Sequence, residues 1–220
     1  MSERIHVLFI VPRFGTVNRG VETFVLELIS RLDEDRFAIT VLSGFHDVSV
    51  SGVTFEQERL LVPDKRHDLL FNAVMRLPND VRVRCVGVGS NRAVLDAHPL
   101  AKAGRVEFRQ YTFAEMPDVY RHADVFSLAS PEEAFGIVFI EAMASGLPVV
   151  AHNGPRQQYV VGKGGVLCDV HDAGAYASAI ASVLYSAPSD EAQVQAMQFD
   201  WSKIVADYDS LLSQLGRSLQ

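Results

Sequence analysis

The chain has 220 residues, of which 48% are hydrophobic and 21% charged, and its formal net charge is −7. That length can bury a sizeable core, while the acidic balance argues against a general nucleic-acid binder. Cys85 and Cys168 are the only cysteines; they make neither a zinc framework nor a disulfide framework, and they fit a reducing, cytoplasmic setting.

Short apolar runs alternate with helical patterns along the chain. Ile5 to Val11 reads as a buried strand, too short for a signal segment or a bilayer span, so any membrane contact is expected to be peripheral, at the inner face. Val21 to Leu32 is predicted as a helix with Phe24, Val25, Leu28, Ile29 and Leu32 on one face. Phe37 to Leu42 follows as a strand. Ser43 to Gln57 is less regular, with one short strand expected near Val53. The alternation then resumes: helix over Asp68–Leu77, strand over Val81–Val88, helix over Asn91–Ala101, strand over Val106–Phe108, helix over Ala114–His122 and strand over Asp124–Leu128. Helix Phe135–Ser145, strands Pro148–Ala151 and Gly165–Cys168, helix Ala173–Tyr185 and a last helix from Trp201 to Leu215 complete the pattern. Strand, helix, strand repetition of this kind marks an α/β fold, a doubly wound parallel sheet that binds ligands at the carboxyl ends of its strands.

The segment from Ser130 to Val150 carries the most chemistry. Glu141 sits in a helix that is apolar nearly all round. A carboxylate there costs several kcal/mol unless something compensates it: either a pair of ligand hydroxyls or buried donors of the protein. Glu133 precedes that helix, with seven residues between the two glutamates. It reads either as an acid balancing the helix dipole or as part of a site. Phe135, Gly136 and Ile137 offer backbone N–H groups at the helix start, where phosphate binds readily, and Gly136 has no side chain to obstruct an anion. Close packing is the other use of such a glycine.

This segment resembles the Glu-x7-Glu signature of the family-4 retaining glycosyltransferases, glycosyltransferase group 1, which have the GT-B fold. The resemblance extends to Glu115–Phe126 before it, Gly162–Asp169 after it and Asp200–Ile204 at the closing helix, so it covers roughly Arg59 to Leu215. It implies that Glu133 contacts the donor sugar and that Glu141 holds the ribose hydroxyls. The diphosphate would meet the N–H groups of Phe135 to Ile137. Arg59 and Lys65 are similar to the family's pair of diphosphate-clamping cations, although Glu58 stands where a glycine is usual and the spacing to Lys65 is one residue long. Arg66 is the poorer substitute. Gly87-Val88-Gly89 lies where the family places the nucleotide base, but it also reads as a plain tight turn, and it is not a full dinucleotide fingerprint. Asn153 and Gly154 resemble the loop beside the donor sugar, with Gln158 in place of the acid often found there. Gly15 and Gly20 resemble the glycine-rich loop and first helix of the acceptor domain, near the donor phosphates. His152 and His171 read as structural or surface residues, and His46 receives no active-site role.

Three segments follow from this: a partial acceptor-type Rossmann-like segment over 1–57, a nucleotide-sugar-binding domain over 58–199 and a crossing helix over 200–220. The rest of the acceptor domain has no counterpart in the chain. The resemblance implies retaining transfer of a sugar from a nucleotide-diphosphate sugar to a saccharide or lipid-linked acceptor, with no metal or other cofactor and no nucleic acid. An oligomer would complete the cleft. A catalytically incomplete nucleotide-sugar-binding remnant is the alternative.

Overall fold

The structure is a computed structural model, and it describes residues 4–10, 20–42, 61–133, 135–187 and 189–218. The strand expected near Val53, together with Arg59 and Gly15, lies outside the described residues. The chain divides into two compact units, one formed by Met1–Gln57 with Gln198–Gln220 and the other by Glu58–Met197.

In the first unit, β1 (Ile5–Ile10) pairs in parallel with β2 (Phe37–Leu42), with Ile5 opposite Phe37. Helix α1 (Gly20–Ile29) connects them, so Gly20 opens a helix. Leu28, Leu32 and Phe37 form a buried cluster, covered by Phe24 of α1 and by Trp201, Val205, Tyr208 and Leu212 of the last helix, Trp201–Ser218. Spacings of three and four residues put those four side chains on one stripe of that helix. Arg36 fastens the same helix by donating to Asp209 at 2.5 Å and to Ser213 at 2.7 Å. The final helix thus belongs with the amino-terminal strands rather than standing apart.

The second unit begins at a short 3₁₀ turn, Pro63–Lys65, followed by α2 (His67–Val74). Strands β3 (Val83–Val86) and β4 (Val106–Arg109) pair in parallel. Strands β5 (Phe126–Leu128), β6 (Val149–His152) and β7 (Gly165–Cys168) form a second parallel group in the order β5-β6-β7. Between β3 and β4 the sequence predicts one helix, Asn91–Ala101; the structure has two, α3 (Arg92–Asp96) and α4 (Pro99–Lys102). Pro99 lacks an N–H and disfavours helical geometry at His98, so the helix stops and restarts there. The ring Nδ1 of His98 accepts from the Leu100 amide at 3.1 Å and caps the restart.

Helices cover both faces of the β5-β6-β7 group. On one face, Val150 of β6 joins Phe71, Val74, Cys85, Leu95, Tyr176 and Ile180 in a core shared with β3 and β4; Phe71 and Val74 come from α2, Tyr176 and Ile180 from α8 (Ala173–Leu184). On the other face, Val149 and Ala151 pack with Tyr120 of α5 (Met116–Arg121), Phe139, Ala142 and Met143 of α6 (Ile137–Ala144), and Val160 of α7 (Pro155–Val161). Alternate residues of a strand point to opposite faces, so Val149, Val150 and Ala151 of β6 are all apolar because both faces are covered. Helix α7 and a short helix over Glu191–Ala196, α9, were not predicted. Proline at the first helical position was the available signal for α7.

Arg105 is a buried cation, 6% exposed, just before β4. It donates to the carbonyls of Val74, Val81 and Pro78 at 3.1, 3.0 and 2.7 Å, closing the carboxyl end of α2 and the turn that follows. Replacing it by alanine removes a side-chain donor from each, although the carbonyls of Val74 and Pro78 keep backbone bonds from Leu77 and Val81. Arg105→Ala is expected to cost about 2–4 kcal/mol, read as a lower urea midpoint at unchanged m-value.

Candidate donor-binding site

Lys65 and Glu133 are 68 residues apart in sequence, and the fold brings them together. The Lys65 Nζ donates to Glu133 Oε2 at 2.6 Å. Lys65 ends the 3₁₀ turn before α2, and Glu133 lies in the loop between β5 and α6. The Glu133 side chain is only 14% exposed and the lysine 32%, so this pair is better shielded than the surface ion pairs of the chain. Arg66 turns the other way. Its backbone is left-handed, at φ 49°, and its guanidinium grips Asp68 through two bonds of 2.9 and 3.0 Å. Of the two cations, Lys65 is the one that faces the glutamate.

Gly136 lies just before α6, with φ 83°. A side chain there is excluded twice. The conformation is one that residues with a Cβ rarely adopt, and a Cβ would lie 2.4 Å from Phe139 Cδ2 and 3.3 Å from Glu133 Cγ. The glycine thus sits against Glu133 and lets the chain turn sharply into the helix. Helix α6 starts at Ile137, two residues later than the sequence predicts, because the left-handed Gly136 breaks the helical path; Phe139 N–H donates to Gly136 O at 2.8 Å. Phe135 therefore precedes the helix instead of opening it.

Glu141 projects from the middle of α6 and is half-buried. Its Oε2 accepts from the Tyr120 hydroxyl of α5 at 2.8 Å. Of the two ways to compensate this carboxylate, the protein itself supplies at least one donor. Tyr120 is 4% exposed and packs edge-to-face on Phe126, with centroids 5.8 Å apart.

The Gly87–Gly89 turn follows β3 and is tied to the segment leading into the Lys65 turn. Leu61 N–H donates to Val88 O at 2.7 Å, and Asn91 N–H donates to Leu61 O at 3.0 Å. A Cβ on Gly89 would lie 2.3 Å from Leu61 O, so close backbone approach accounts for this glycine. The Asn153–Gly154 loop follows β6. Its Asn153 Oδ1 accepts from Gln158 at 2.8 Å. The neighbouring Gln157, 2% exposed, donates to the carbonyls of Ser130 and Pro131 at 3.3 Å each. Gln157 thus ties this loop to the one carrying Glu133, a contact the sequence does not reveal. Arg156 lies nearby, its Nη1 3.4 Å from Glu133 O.

His67, two residues after Lys65, is half-buried, and its Nδ1 has no hydrogen-bond partner. Burial pushes its imidazole below the ordinary 6.5; Asp68 opposes that shift and Lys65 adds to it. The unfolded chain therefore takes up this proton first as pH falls. The stability from a neutral His67 is full above about 6.5 and is lost through the window below it. His67→Gln is expected to flatten the acid limb of a melting-temperature profile; an identical acid limb in the variant would refute the assignment. Gly136→Ala is expected to cost about 1–3 kcal/mol through strain at positive φ and the clash with Phe139, and an unchanged melting temperature would contradict the geometry.

Comparison with known proteins shows the family. The sequence pattern described as Glycosyl transferases group 1 matches residues 58–186. The D-inositol 3-phosphate glycosyltransferase of Mycolicibacterium smegmatis is 36% identical over 170 residues, covering 71% of this chain and 38% of that protein. The chain thus spans well under half the length of that relative. Among solved structures, Anabaena HepE in complex with UDP is 27% identical with a TM-score of 0.62, over 71% of this chain and 47% of that one. Sucrose-phosphate synthase from Thermosynechococcus elongatus is also 27% identical, with a TM-score of 0.63 over 71% of this chain and 44% of its own. The parallel α/β architecture matches that of the GT-B glycosyltransferases. The pattern covering more than half of the chain and the extent of these likenesses establish that the chain belongs to the group 1 glycosyl transferases.

Proposed function

We propose that this chain carries the donor-binding half of a retaining glycosyltransferase, which moves a sugar from a nucleotide-diphosphate sugar to an acceptor hydroxyl in polysaccharide or glycolipid synthesis. The observation that carries this reading is the Lys65–Glu133 pair beside the glycine-opened start of α6. It sets a cation for phosphate and a carboxylate for sugar hydroxyls side by side. A diphosphate would take Lys65, Arg59 and the N–H groups of Phe135, Gly136 and Ile137 as partners. Glu133 would hold the donor sugar. A carboxylate accepts about four hydrogen bonds, so Glu141 can receive a ribose diol while Tyr120 keeps its bond.

In the reaction, the bond between the anomeric carbon and the β-phosphate oxygen breaks, and the acceptor oxygen bonds to the same face of that carbon as its proton passes to the departing phosphate. The two cations and the helix start lower the cost of the charge that develops on the leaving diphosphate. In this reading the transfer proceeds without a metal. Support for uridine diphosphate as the first ligand to try comes from HepE, whose structure holds UDP. Support for a polar cyclitol or sugar acceptor comes from the relative's name, a glycosyltransferase of D-inositol 3-phosphate. No helix among the described residues is long and apolar enough to cross a membrane, so contact with a lipid-linked acceptor would be at a membrane surface.

Calorimetry with UDP and GDP is the direct test. Saturable binding of one of them is expected, weakened about tenfold or more in Glu141→Ala and in Lys65→Ala, which corresponds to about 1.4 kcal/mol. Affinity unchanged by both substitutions would remove the site. Release of nucleoside diphosphate from a panel of nucleotide sugars then separates turnover from the second reading, a chain that binds the donor without transferring it.

A further inference from the structure

The carboxyl ends of β6 and β7 gather three ligand-type side chains that the donor reading does not use. Strand register sets His152 opposite Cys168, and Asn153 N–H donates to Cys168 O at 2.8 Å. His152 is thereby held beside the turn that begins at Asp169. In that turn the backbone N–H and the ring Nδ1 of His171 lie 3.0 and 3.1 Å from Asp169 Oδ1. The rings of His152 and His171 meet edge-to-face with centroids 5.6 Å apart. One ligand atom from each of His152, Asp169 and His171 lies within 4.8 Å of the other two.

An ordinary surface turn accounts for part of this. It needs Asp169 and the His171 amide, and nothing more. It does not need a second imidazole delivered from a neighbouring strand. Nor does it account for the Nδ1 of His152, which is closed to solvent and has no hydrogen-bond partner. Leaving a buried polar atom unsatisfied costs about 1–3 kcal/mol, and an ion is one of the few things that resolves such an atom.

We propose that His152, Asp169 and His171 form a site for a divalent transition-metal ion, zinc foremost. Two imidazoles and a carboxylate are a donor set such ions favour, with water completing a tetrahedron. Zinc bonds of about 2.0–2.1 Å require ligand atoms roughly 3.3 Å apart. The Asp169 and His171 side chains are 63% and 51% exposed, so they are free to close the remaining distance. The ion takes no part in sugar transfer. It fastens the residue preceding the Asn153–Gly154 loop to the turn after β7, and so stiffens the rim of the unit. The site stands whether or not the donor reading holds.

The test uses the full chain without an affinity tag, stripped with chelator and titrated with zinc chloride by calorimetry. One equivalent is expected to bind, with a rise in melting temperature. Cobalt(II) is expected to give a visible spectrum of imidazole coordination. His171→Ala and Asp169→Asn each should weaken zinc binding by about tenfold or more and abolish the thermal gain. Both side chains are exposed, so neither variant should compromise folding; circular dichroism checks this. Wild-type affinity for zinc in His171→Ala, or no saturable binding in the parent chain, would overturn the proposal.

Discussion

Strand β6 is buried on both faces, and that constraint organises the second unit. Val149, Val150 and Ala151 are each 0% exposed. A strand with no solvent face must have helices on both sides and neighbours on both edges. Its parallel register with β5 and β7 then decides which strand ends lie side by side. The loop after β5, which carries Glu133, and the loop after β6, which carries Asn153, become neighbours that Gln157 can bridge. Tight packing also tolerates nothing extra between strands: a Cβ on Gly165 would lie 1.9 Å from Val149 O.

The candidate site grows out of that packing. Helix α6 lies against β6 through Phe139, Ala142 and Met143, which leaves Glu141 on the part of the helix facing α5. Tyr120, itself buried against the same core, reaches that carboxylate. The Lys65 turn is placed from the opposite side. Its lead-in at Leu61 is stitched to the Gly87–Gly89 turn, and α2 packs with α8 over the core that Val150 enters. Lys65 and Glu133 meet because the turn leading into α2 and the loop after β5 are anchored to the same core. The same logic applies to His152, Asp169 and His171. His152 is delivered to the Asp169–His171 turn because β6 and β7 are in register.

The glycines divide by what they do. Gly136 provides a backbone conformation and room beside Glu133, while Gly89 provides room for a carbonyl. The sequence shows one at a helix start and the other in a turn after a strand and cannot separate the two causes, since each depends on what packs nearby.

Periodicity and residue type alone determined the alternating α/β plan, the apolar helix carrying Glu141 and the glycine at its start; the motif around the two glutamates carried the family resemblance. These are local properties. A strand buried on both faces reads as an unbroken apolar run, and an acid in an apolar helix stands out without knowledge of its partner. Only the tertiary structure decided that Lys65 meets Glu133, that Tyr120 bonds Glu141, that Gln157 rather than Gln158 ties the loops together, that Pro99 splits a helix, and that the last helix packs on β1 and α1. Apart from the split at Pro99, each of these joins residues distant along the chain or chooses between neighbours on opposite sides of a helix, and chain separation carries no information about contact until the sheet fixes which elements lie side by side.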